Sequence, residues 1–215
     1  MGITGILSGH GGTVTGLFHQ RVSEAVQRKG FGYDEEYPAT VTTNIPGGAI
    51  DARGEIDLPR FRALLEETLP FFRGTDALLM LCNSFYAHGE EVSSRYEGTL
   101  VIVPELVSAR IALPENTLVI ASRTVREHRL YGDEVTYADS PEVDELIEAG
   151  IGSRPGRELI QRLHEDYRGF ETVVLGCTDL TRYRNNFEGI FESVIIDSVT
   201  VAAEFVVNHQ EEKAS

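Results

Sequence analysis

The chain has 215 residues, 41% of them hydrophobic and 25% charged, with a formal net charge of −15. That length and balance suit one large or two small globular domains with a proper core. The acidic excess argues against a surface for nucleic-acid phosphates and reads as a solvated exterior. No apolar run approaches the ~18–20 residues of a membrane helix, and the opening "MGITGILSGHGG" lacks the basic start and cleavage site of a signal peptide. A cytoplasmic location with no membrane partner is therefore expected. Lysine is confined to Lys29 and Lys213, near segment ends. Neither follows a strand or a glycine-rich cradle, which argues against a pyridoxal phosphate enzyme.

Apolar runs alternate with helix-period segments along the chain. Ile3 to Leu7 reads as a strand. Val14, Leu17, Phe18, Val22, Ala25 and Val26 then share a helical face, with Thr13 as a candidate cap. "ATVTTN" at 39–44 is a second strand. After a Gly-, Pro- and Asp-rich loop, Pro59 suits the first turn of a helix carrying Phe61, Leu64, Leu65 and Leu69. Strands follow at 77–81 and 100–103. The rhythm restarts with a strand at 117–122, a short helix and a strand at 134–138. Helices are expected over "SPEVDELIEAG" and "GRELIQRLHEDYRGF", strands at 172–175 and 194–196, and a closing helix over "SVTVAAEFVVNHQ" with "EEKAS" frayed. The alternation predicts a parallel α/β architecture in two similar halves. In such sheets ligands bind beyond the carboxyl ends of the strands.

The two cysteines occupy such ends. Cys82 follows "ALLML" and precedes Asn83 and Ser84; Cys177 follows "TVVLG" and precedes Thr178 and Asp179. A reducing cytoplasm argues against a disulfide, and no C-x-x-C or H-x-x-x-H cluster supports a metal site. Burial as packing residues is the plain alternative. If the halves face each other, two thiols could flank one bound carbon. One, as thiolate, would remove a proton from one face, and the other would return a proton to the opposite face. The carbanion between these steps needs fixed hydrogen-bond donors. Asn83, Ser84, Thr178 and the backbone amides after each strand carry them.

These motifs resemble the aspartate/glutamate racemase superfamily, and most of all its aspartate racemase branch. Cys82-Asn83-Ser84 is similar to its Cys-Asn-Thr, and Gly176-Cys177-Thr178-Asp179 to its Gly-Cys-Thr-Glu. "GILSGHGGTVT" resembles its glycine-rich opening, and "SVIIDSVTVAAEFVV" its closing segment. The resemblance spans nearly the whole chain. It implies two pseudo-symmetric three-layer α/β/α domains with mainly parallel sheets and an active site in the cleft between them. The domains would be residues 1–107 with the returning 197–215, and residues 108–196. It further implies an amino-acid racemase or epimerase that needs neither metal nor cofactor, acts on a small amino acid, and forms a homodimer. Cys82 and Cys177 would be the catalytic pair. Asn83, Ser84 and Thr178 would hold the α-carboxylate or amino group, and the turn at Ser8, Gly9, His10 and Gly11 would line the cleft.

The chain departs from the pattern where the side-chain carboxylate is gripped. The family arginine after Ile-Pro-Asp is absent from Ile45-Pro46-Gly47-Gly48, with Arg53 a possible substitute. The family lysine aligns with Glu148, before Ala149-Gly150. An anion there repels an acidic side chain by roughly 4 kcal/mol at ~4 Å and an effective dielectric near 20. Aspartate is therefore not the expected substrate unless Arg53 rescues it. Competing readings are a hydantoin racemase, decarboxylase or cis–trans isomerase on the same scaffold, or a non-enzymatic binding protein. Decarboxylating relatives tend to keep one of the two cysteines, and this chain keeps both.

Overall fold

The computed structural model describes residues 2–8, 11–30, 37–44, 49–51, 53–152 and 156–214. The first unit contains β1 (Ile3–Ser8), α1 (Gly11–Arg28), β2 (Ala39–Asn44), α2 (Leu58–Thr68), β3 (Ala77–Met80), α3 (Gly89–Ser93), β4 (Thr99–Val101) and α4 (Val103–Ser108). The second contains β5 (Thr117–Ile120), α5 (Arg123–Glu127), β6 (Thr136–Tyr137), α6 (Pro141–Gly152), α7 (Arg157–Asp166), β7 (Thr172–Leu175), α8 (Arg184–Glu188) and β8 (Val194–Asp197). A last helix, α9 (Ser198–Ala214), packs back against α1 and α4 of the first unit.

Each unit carries a four-stranded sheet, in the order β2-β1-β3-β4 and β6-β5-β7-β8. All the pairings within these sheets are parallel. The two orders are the same pattern used twice. β3, β5 and all of β7 but its first residue are buried. That is why "ALLM", "TLVI" and "TVVL" read as apolar runs without alternation: helices cover both faces of a parallel sheet.

The helices form for local reasons as well. On α1, Val14, Phe18, Val22, Ala25 and Val26 are buried at helical spacing. Asp57 caps α2 by accepting from the Arg60 amide at 3.1 Å, with Pro59 in the first turn. Asp197 caps α9: its Oδ1 accepts from the Thr200 amide at 2.8 Å, while Oδ2 accepts from Arg184 at 2.8 Å.

Four expectations about elements need correction. Helix α1 starts at Gly11, so Thr13 is inside it rather than its cap. Val103 opens α4 instead of ending a strand, because Pro104 suits a first helical turn. β6 has only two residues, its edge position giving it one partner strand. α9 runs on to Ala214, through most of the segment expected to fray.

Candidate active site

Equivalent strands deliver the two cysteines in the same way. β3 ends at Met80 and β7 at Leu175, so each cysteine comes two residues past its strand. Each has extended backbone, φ −147° at Cys82 and −109° at Cys177, and each starts a 3₁₀ helix, Asn83–His88 and Thr178–Tyr183. The Phe85 and Leu180 amides donate to the Cys82 and Cys177 carbonyls at 3.1 and 3.0 Å, and the amides of Ser84 and Phe85 favour the Cys82 thiolate as those of Asp179 and Leu180 favour the Cys177 thiolate. Cys82 is buried and Cys177 half-buried, and both are free thiols.

Both thiols line one narrow cavity, together with Asn83, Ser84, Thr178 and Asp179. Ile50, Gly54, Ser122, Ile147 and Gly176 also line it. Its volume is about 20 Å³, little more than a water molecule requires and far below the ~300–1,000 Å³ of a typical ligand pocket.

The electrostatics favour neutral thiols. Burial pushes Cys82 up to about 12, the Asp179 carboxylate adds to the shift, and the amides of Ser84 and Phe85 oppose it. Cys177 is likewise raised, by burial first and by Asp179 second. Tyr131, buried behind the cavity, is held protonated by burial and by the nearby Cys177.

The units are joined across this cavity by specific bonds. Asn83 Nδ2 donates to the Gly176 carbonyl at 2.7 Å, which ties the residue after one thiol to the residue before the other. The Ser84 and Ser122 hydroxyls lie 2.9 Å apart. Thr124 donates its hydroxyl to the Gly54 carbonyl at 2.8 Å. Gly54 has φ +81°, and a Cβ there would stand 2.5 Å from that of Ser122. Only glycine can take both that conformation and that closeness. Around it, Asp51 Oδ1 accepts the amides of Arg53 and Glu55, each at 2.9 Å. Arg123 reaches Glu55 at 3.0 Å and Asp144 at 3.1 Å.

Arg53 and Glu148, the expected side-chain contacts, form an ion pair at 3.0 Å with each other. Both are about half exposed. They sit on the rim, while their neighbours Gly54 and Ile147 reach the cavity. Ser8 is buried at the end of β1, its Oγ 2.7 Å from the Thr15 hydroxyl, and is outside the cavity wall as described. Gly9 and His10 lie outside the described residues. His88 packs near Phe61 and His128 and is not among the residues lining the cavity. The sequence reading missed Ser122, Gly54 and Asp179. Ser122 had a signal: "TLVIAS" ends on a serine as "GILS" does, at the equivalent strand of the other unit.

Two like parallel α/β units present their strand ends to one cavity, and solved structures share this fold. Aspartate racemase of Picrophilus torridus superposes with a TM-score of 0.72 at 18% identity, over 95% of this chain and 93% of that one. An aspartate racemase homologue from Pyrococcus horikoshii gives 0.74 at 18% identity, over 98% of this chain and 100% of its own. Glutamate racemase from Thermus thermophilus gives 0.70 at 16% identity, over 99% and 82%. A scan against protein-family models finds no match, and a search of curated proteins finds none. At these identities the likeness is one of fold.

Proposed function

We propose that the protein is a cofactor-independent amino-acid racemase or epimerase whose two bases are Cys82 and Cys177. The observation that carries the reading is the pair of thiols on equivalent strand ends, lining one cavity. In each direction, the thiolate of one cysteine takes the α-proton. An S–H bond forms, the Cα–H bond breaks, and the electron pair passes onto the carbon and its carboxylate. The opposite thiol then gives up its proton to form the new C–H bond. The configuration inverts and the two sulfurs have exchanged roles. Hydroxyls of Ser84, Ser122 and Thr178 are the donors suited to the carboxylate as charge grows on it. The domains we assign, 1–107 with 197–215 and 108–196, follow the packing of α9 onto α1 and α4.

The rim shapes the choice of side chain. Glu148 already pairs with Arg53, so an acidic side chain must displace one carboxylate to reach the cation and then stands beside it. A neutral polar side chain meets a donor and an acceptor without that conflict. We therefore expect neutral polar amino acids to be preferred over aspartate. The small cavity and the close fit of Gly54 against Ser122 require the Ile50–Asp57 turn to move for substrate to reach the thiols.

The test is α-proton exchange in D2O, followed by NMR, on L- and D-amino acids with acidic, neutral and basic side chains. Cys82→Ala and Cys177→Ala serve as controls. Exchange with inversion, lost in both variants, is the expected result. Exchange unchanged in either variant, or none with any amino acid, overturns the proposal.

A further inference from the structure

Tyr131 belongs to the second unit, yet its hydrogen bonds reach the first. Its hydroxyl accepts from Asn83 Nδ2 at 2.8 Å, and its carbonyl accepts from the Ser108 hydroxyl, at the end of α4, at 3.0 Å. The same Asn83 nitrogen lies 2.7 Å from the Gly176 carbonyl and 3.0 Å from the Ser198 hydroxyl. A peptide oxygen only accepts, so one amide hydrogen goes to Gly176 and the other lies between the two hydroxyls. The Tyr131 ring packs on Gly176, where an added Cβ would stand 3.0 Å from its Cε2. One side chain thus touches the residue after Cys82 and the residue before Cys177. It is 2% exposed and is not among the residues lining the cavity. The chain turns sharply to present it. Arg129 has φ +47°, the one positive φ outside glycine among the described residues, and Gly132 has φ +98°. Such strain persists where the surroundings over-determine it. Here Arg129 pairs with Asp133 and lies over the Tyr137 ring at 5.0 Å, and the Tyr137 hydroxyl accepts the Tyr131 amide at 2.8 Å.

We infer that Tyr131 is a positioning residue that fixes the two cysteine-bearing turns relative to each other. Its catalytic consequence rests on the racemase reading of the cavity. The turns belong to separate units, so nothing in either sheet sets the reach of one sulfur toward a carbon held by the other. The bond from Asn83 to Gly176 joins them at one point. The Tyr131 hydroxyl adds a second point on the same amide, and its ring a third on Gly176. That placement decides the fate of the carbanion. When the sulfur that took the α-proton returns a proton, the Cα–H bond re-forms on the same face and the configuration is kept. When the opposite thiol gives up its proton, the new Cα–H bond forms on the other face and the configuration inverts. A turn displaced by a fraction of an ångström favours the first outcome, because proton transfer depends steeply on position. Tyr131 therefore governs how often a removed proton leads to inversion, and touches neither substrate nor sulfur chemistry itself.

The test compares the full-length wild type with Tyr131→Phe, which keeps the ring on Gly176 and removes only the hydroxyl. Both are incubated in D2O with alanine, asparagine, aspartate and lysine, each enantiomer separately. Deuterium in the inverted product and in the recovered starting enantiomer is then counted. The ratio of inversion to exchange with retention is expected to fall about fivefold or more in the variant. KM should stay within about twofold, since Tyr131 does not line the cavity. A ratio that stays at the wild-type value overturns the inference, whatever happens to the overall rate, because a purely stabilising residue lowers both outcomes together. If Tyr131→Phe does not fold, Ser108→Ala, which frees the Tyr131 carbonyl, carries the comparison with the same expected direction. A second readout needs no turnover: alkylation by iodoacetamide, followed at each cysteine by peptide mass spectrometry. Loosening the clasp should change the rate at Cys177 relative to Cys82 about threefold or more. If the wild type neither inverts nor exchanges any of the four amino acids, the racemase reading falls and alkylation alone decides. A changed relative rate then keeps Tyr131 as the residue that sets the two turns, and an unchanged one removes it.

Discussion

The two units repeat one strand order and one way of presenting a cysteine, yet they differ at what surrounds it. Cys82 is buried and is followed by Asn83, whose amide crosses to Gly176. Cys177 is half-buried and is followed by Thr178 and by Asp179, whose charge acts on both thiols. The first unit sends the Ile50–Asp57 turn over the cavity, and the second receives it with Thr124, Arg123 and Glu148. The repeat thus supplies two chemically similar groups facing one space. In the proposed reaction, symmetry accounts for the reaction type, and the departures from it for closure and for what is admitted.

The comparison can be broken most directly at the sulfurs. Replacing either Cys82 or Cys177 by Ala should lower racemisation at least about 1,000-fold, because each removes one of the two proposed proton carriers. Thermal unfolding of the two variants should stay close to that of the wild type. If one variant keeps full inversion, the two units are not equivalent in chemistry.

A change at Gly54 tests the contribution of the crossing turn. Gly54→Ala puts a methyl group 2.5 Å from the Ser122 Cβ at a φ of +81°. Turnover should fall about 10- to 100-fold, since small misplacements at a reacting site are amplified. Unfolding should also shift down by several degrees, because alanine strains this positive-φ position and crowds Ser122. Equal activity would mean that the turn does not close during catalysis.

The pH profile sharpens the comparison next. Cys82 is raised to about 12 and Cys177 is raised as well, so both are protonated near neutrality. Below a raised thiol pKa, the thiolate fraction grows about tenfold per pH unit. Alkylation by iodoacetamide in the free protein should therefore climb with that slope from pH 7 to 9 and show no plateau. The buried thiols contribute stability only while protonated, so unfolding should become easier above the ordinary thiol range, as the unfolded chain loses protons that the folded one keeps. A plateau of alkylation near pH 7 would contradict the raised values.

The smallest effect belongs to the rim. Glu148→Gln releases Arg53 from its partner. Because the pair is half exposed, its strength is modest. Activity toward aspartate should rise a few-fold relative to asparagine, read as a ratio of kcat/KM values. No change in that ratio would place the rim outside substrate recognition.

Much of this was legible in the sequence because the physics there is local. Continuous apolar runs marked the strands, and a helical face marked α1. The two cysteine motifs showed the repeat. The bonds that join the units were not legible. Nothing near Gly54 in the chain indicates that it will press on Ser122, and nothing near Glu148 names Arg53 as its partner. Such contacts are set when two folded units meet, over separations where composition and periodicity carry no signal. Ser8 shows the converse: its place in a recognisable motif suggested the cleft, but its hydroxyl is used within the first unit, by Thr15.

The unequal settings of the two thiols have a thermodynamic limit. Mirror-image substrate and product have the same free energy in water, so their equilibrium ratio is one whatever protein connects them. The Haldane relation then forces kcat/KM to be the same from either enantiomer. Any bias created by burying Cys82 more deeply than Cys177 must appear as matched changes in kcat and KM, which cancel in their quotient. A pair of unlike bases can set how tightly each hand is held, but not which hand prevails at equilibrium.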